Sequence, residues 1–65
     1  MKKWEYLIIT VFTHKSIVYF PDGSTHEYLD SVVALNTLGD EGWELVNDTQ
    51  VDPLTSRISM RRTKR

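Results

Sequence analysis

Cysteine is absent from this 65-residue chain, which removes disulfides and thiolate metal sites, two common supplements to a small core. A domain this short hides only about 60% of the surface its unfolded chain exposes. Close packing or self-association must therefore supply the rest. The lack of thiols suits a reducing compartment. No apolar run is long enough for a membrane span. The stretch from Tyr6 to Phe12 is too short and β-rich for a signal sequence, despite the basic start Met1-Lys2-Lys3. A cytoplasmic location with no membrane partner is expected. Repeats, linkers and low-complexity stretches are also missing, so residues 1–65 read as a single domain with a frayed basic tail at 63–65.

Basic residues are missing from the middle of the chain: Glu27 to Asp52 holds seven acids and no Lys or Arg, whereas Arg57 to Arg65 holds five bases and no acid. The net charge is only −1. Such a balance gives no support to binding a long polyanion such as DNA or RNA, and a charge near zero favours association. The basic end can still hold a small anion or an acidic neighbour.

What is present is a series of β patterns interrupted by one helix. Trp4 to Thr13 is aromatic and β-branched, free of Gly and Pro, and reads as the longest strand. Both of its faces are apolar, with Trp4, Tyr6, Ile8 and Phe12 on one side and Leu7, Ile9 and Val11 on the other. A single helix covers only one face of an antiparallel sheet. Large aromatics usually fill the core of a very small domain, so the Trp4 and Ile8 side is expected to face the helix. Leu7, Ile9 and Val11 are then left for an oligomer interface.

Ser16 to Phe20 is a second strand. It ends at Pro21-Asp22-Gly23, a turn in which Pro presets the first corner and Gly accepts positive φ. That turn predicts a hairpin returning through Ser24 to Leu29. Ser24-Thr25-His26-Glu27 also reads as a capping box that would start a helix at once, but the alternation of Thr-His-Glu-Tyr favours the strand. The spacing predicts a helix over about Ser31 to Gly39, capped by Asp30 or Ser31, with Val32, Val33, Leu35 and Leu38 buried and Gly39 as the left-handed stop. Trp43 to Asn47 restarts as a strand, placing Trp43 and Leu45 in the core. Asp52-Pro53-Leu54-Thr55 turns into a last strand with Ile58 and Met60 inward and Arg57, Ser59 and Arg61 on a wet side. The expected fold is α+β: a small antiparallel sheet of four to five strands, in the order β-β-β-α-β-β, with the helix on one face.

Lys3-Trp4-Glu5-Tyr6 at the start, with Leu35-Asn36-x-Leu38-Gly39-x-Glu41-Gly42-Trp43-Glu44-Leu45-Val46 in the centre, resembles the bacterial and phage family called domain of unknown function 4177. The resemblance implies a compact antiparallel sheet crossed by one helix. It implies no activity, cofactor or catalytic residue.

Candidate chemistry is sparse. His14 and His26 lack companions at metal-ligand spacing, and Asp48 and Asp52 lack the ligand-rich loop of a calcium site, so no metal and no cofactor are expected. Glu5 and Glu44 suit ion pairing across the sheet better than acid–base work. The backbone amides from Gly39 to Gly42 lie at the wrong helix end for a phosphate. What remains is a basic set, Arg57, Arg61, Arg62 and Lys15, able to grip an anion through charge-assisted hydrogen bonds, with Tyr6 as a ring to stack on.

The function expected from these features is a non-enzymatic homo-oligomer that holds a small anionic ligand at a subunit interface. By analogy with small phage proteins that sequester nucleotide signals, that ligand is nucleotide-like. The alternative is a module docking on a host or bacterial protein through its apolar face or an open strand edge.

Overall fold

A computed structural model describes residues 3–64. Its elements are β1 (Lys3–Val11), β2 (Ser16–Tyr19), β3 (Thr25–Tyr28), α1 (Ser31–Asp40), β4 (Glu44–Asp52) and β5 (Thr55–Lys64). The strands form one five-stranded antiparallel sheet in the order β3-β2-β1-β5-β4, the small α+β fold that the patterns predict. β1 is central because it pairs along its whole length with β5, from Lys3 opposite Lys64 to Val11 opposite Ser56. Thr63 and Lys64 are therefore held in the ladder rather than frayed, because β1 continues opposite them. Arg65, the remainder of the expected tail, lies outside the described residues.

Local chemistry explains the connections. Gly23 donates its N–H to the Phe20 carbonyl (3.0 Å), with Pro21 and Asp22 at the two corners, and Gly23 itself has φ +91°. The Asp22 carboxylate accepts from the Ser24 N–H (2.9 Å) and the Ser24 hydroxyl (2.6 Å). Residues 16–28 thus form the hairpin, and the capping-box helix at Ser24 does not form. Its role falls to Asp30, whose carboxylate accepts from the Val32 N–H at 2.9 Å.

The helix ends in a Schellman arrangement: Trp43 N–H reaches the Leu38 carbonyl (3.1 Å) and Gly42 N–H reaches that of Gly39 (3.0 Å). Gly42, at φ +94°, is the left-handed residue. Gly39, expected in that role, lies inside the last helical turn. Trp43 and Leu38 pack together in the core, the apolar contact that accompanies this cap.

The buried helical stripe is Ala34 and Leu38, flanked by the half-buried Ser31 and Leu35. These four positions share one side of the helix at i, i+3, i+4 and i+7. Val32 and Val33 fall outside that stripe and are 59% and 52% exposed, so the expectation that they are buried, with Val32 in the core, is corrected.

The largest correction concerns the faces of β1. Leu7 (2% exposed) and Ile9 (0%) are the core, with Val11 packed against them, and they are not an oligomer interface. Trp4 (38%) and Ile8 (41%) are not core; they lie on the open side. The reason is register. Ile9 stands opposite Val18 and Ile58, and Leu7 opposite Met60, so the uniformly apolar rows of three strands coincide on the Leu7 side. Leu45 also shares the inner side, opposite Met60, but the helix does not reach it and it is exposed, contrary to the expected core position. Leu38 and Trp43 are buried and Leu35 packs beside them.

Candidate functional site

The sheet has an inner face under α1 and an outer face over which no other described element lies. On the outer face the register aligns three rows that cross the strands. One runs Glu27, Ile17, Thr10, Arg57, Thr49; the next runs Thr25, Tyr19, Ile8, Ser59, Asn47. The third, beyond the end of β2, is Tyr6, Arg61, Glu44, with Trp4 and Thr63 alongside. The centre of this surface is therefore apolar, from Trp4, Tyr6, Ile8, Phe12 and Tyr19, each exposed, together with the half-buried Ile17. Charges flank it, Glu27 on one side and Arg57, Arg61 and Glu44 on the other.

Exposed apolar patches are surfaces through which domains commonly associate. Trp4, Ile8, Phe12 and Tyr19 are the residues that strand alternation alone did not assign to it. Part of the signal is in β5, whose Arg57, Ser59 and Arg61 face water; which side of β1 joins them is set by the register, in which Tyr6 stands opposite Arg61 and Ile8 opposite Ser59.

The basic set predicted to act together is divided. Tyr6, Arg57 and Arg61 share the outer face, with Arg57 and Arg61 about 13 Å apart along β5. Arg61 lies over the Trp4 ring at 4.2 Å and is bound to Glu44, Nε to Oε1, at 2.7 Å. The Glu44 carboxylate holds its guanidinium still more firmly protonated than usual.

Arg62 points to the opposite face because it is the next residue along a strand. There its Nε donates to Glu5 (2.9 Å) and its Nη1 to the Glu41 carbonyl (3.3 Å), while the guanidinium stacks on Trp43 at 4.4 Å. This clamp ties the helix C-terminus to β1 and β5, with a cation at the favourable end of the helix dipole. An open cleft of about 680 Å³ lies beside it, lined by Glu5, Glu41, Gly42, Arg62, Thr63 and Lys64. Lys15 lies in the β1–β2 turn, 6.0 Å from the Phe12 ring centre, at the Arg57 end of the sheet and at the opposite end from Arg61 and Arg62.

His14 lies in the β1–β2 turn, and His26 lies on β3 against Tyr28, ring centres 4.5 Å apart. Among the described residues no three His, Asp or Glu side chains gather in a metal-binding cluster, and no helix is long and apolar enough to cross a membrane. No protein-family model, no curated protein and no solved structure matches the chain.

Proposed function

We propose that this protein is a non-enzymatic, self-associating binding module, working in the cytoplasm, whose open sheet face packs against another copy and holds a small anionic ligand at the edge of that contact. The observation that carries the reading is the outer face itself, with five large apolar side chains in one continuous patch on a chain of 65 residues. Covering it removes apolar surface from water, at roughly 25 cal/mol per Å², where the core alone is small.

The ligand end of the proposal rests on Arg61, Tyr6 and Trp4. They lie where β2 has already ended, so a second sheet seated over Ile8 and Tyr19 leaves space above them. A ring to stack on and a guanidinium to grip phosphate together suit a nucleotide-like molecule. Membership of the domain of unknown function 4177 family, proposed from the Trp-Glu-Tyr start and the Gly-x-Glu-Gly-Trp centre, is compatible with such a role in a phage or bacterium.

Native mass spectrometry of the undialysed protein tests both parts. An oligomer carrying a phosphate-containing adduct is expected, with Arg61→Ala stripping the adduct at unchanged subunit count. A bare monomer overturns the proposal.

The runner-up, strand addition by a foreign protein, is favoured by β4, a nine-residue edge strand exposed throughout. Register shifts between Leu45 and Asn47 and between Gln50 and Asp52 interrupt that edge, as protected edges often are. A bare wild-type chain that retains a stoichiometric protein partner would favour it.

A further inference from the structure

One row across the outer face carries two charges of opposite sign without a counterpart: among the described residues neither Glu27 nor Arg57 forms a salt bridge, and both are exposed. They occupy one row across the sheet, Glu27 opposite Ile17, Ile17 opposite Thr10 and Thr10 opposite Arg57. Three strand spacings separate them, about 14 Å, so they cannot pair within one chain.

We infer that the protein forms a two-fold dimer through this face, with the symmetry axis running parallel to the strands between β1 and β2, so that Glu27 of each copy meets Arg57 of the other. This deepens the proposed self-association and rests on it, by naming the occupant of the face and its alignment. Rotation about that axis carries the position of Glu27 onto that of Arg57 and the reverse. It also places Tyr19 over Ile8, and Ile17 over Thr10, so the apolar centre meets itself.

Face-to-face sheets pack about 10 Å apart and are rotated by about 30°. At roughly 7 Å from the axis that rotation moves the partner carboxylate by about 4 Å, within reach of Arg and Glu side chains. An axis perpendicular to the strands would instead set Glu27 against Glu27 and Arg57 against Arg57, which like-charge repulsion opposes. Because the favoured axis keeps the strands of both copies pointing the same way, the two sets of Trp4, Tyr6 and Arg61 end up at the same end of the dimer, side by side, where β2 of each copy has already ended.

Sedimentation velocity on the wild type, Arg57→Glu, Glu27→Arg and the double variant tests the alignment, with circular dichroism confirming that each is folded. The wild type is expected to dimerise, each single reversal to raise the dissociation constant about tenfold or more, and the double reversal to recover most of that loss. A wild-type dimer whose single reversals do nothing, or whose double reversal is no better than the singles, overturns the alignment and leaves self-association standing. A wild type that stays monomeric overturns both.

Discussion

The two faces of one sheet carry comparable apolar side chains, yet one is sealed and the other is bare. On the inner face Leu7, Ile9, Val18, Ile58 and Met60 lie beneath Ala34, Leu38 and Trp43. On the outer face Trp4, Tyr6, Ile8, Phe12 and Tyr19 keep a large part of their surface in contact with water. The larger residues are on the bare side. Size is thus a poor guide to the core here: aliphatic residues that interlock with one small helix make the interior, while rings that can lie flat furnish a surface for something else.

The contrast is broken most severely from inside. Leu38→Ala or Ile9→Ala removes a fully buried side chain and should cost about 2–5 kcal/mol, enough to leave so small a domain largely unfolded. Urea denaturation followed by circular dichroism reads that loss, and a midpoint near that of the wild type would mean that the inner face is not the core. On the outer face Ile8→Asp should leave the fold in place but raise the dissociation constant of the proposed dimer about tenfold or more, as seen by sedimentation.

The neighbours Arg61 and Arg62 sharpen the comparison because they differ only in which face they occupy. Arg62→Ala strips the Glu5 pair, the bond to the Glu41 carbonyl and the Trp43 stack, for a loss of about 1–2 kcal/mol in thermal or urea unfolding. Arg61→Ala should leave the midpoint close to that of the wild type, since its bridge to Glu44 is exposed. Equal effects of the two substitutions would contradict the assignment of faces.

The smallest effect belongs to a turn. Hydrogen bonds from the Ser24 hydroxyl and N–H hold the Asp22 carboxyl below its ordinary value of 3.8. A carboxyl with a lowered folded pKa contributes stability that is fully present above the unfolded value and is lost as pH falls through the folded one. A slight loss confined to pH below about 4 is expected, absent in Asp22→Asn, when unfolding midpoints of the two are compared across an acid series.

Elements whose causes are local were legible from residue order: the Pro21-Asp22-Gly23 turn, the Asp30 cap, the alternation of Ile58 and Met60 against Arg57 and Arg61, and the sequence of strands around one helix. The orientation of β1 was not, because both of its alternating sets are apolar and nothing within the strand breaks the tie. The tie is broken about fifty residues away, where Ile58 pairs with Ile9. For the same reason Arg62 reads from the sequence as a companion of Arg61, although the two lie on opposite faces. Val32 reads as core from its size, yet it is the small and inconspicuous Ala34 that is fully buried. The candidate binding residues were therefore visible as a composition, while their division between two faces depends on long-range pairing.

That pairing also governs when the protein can become itself. β1 leaves the ribosome first among the elements described, and its longest partner, β5, leaves last. Until then the strand most apolar on both sides has only the short β2 beside it, and two members of the core, Ile58 and Met60, do not yet exist. Contacts so distant along the chain slow folding and expose strand edges while it proceeds. Folding should accordingly wait for β5 and be nearly all-or-none, and a chain stalled before Thr55 should be held by chaperones or degraded rather than accumulate as a working fragment.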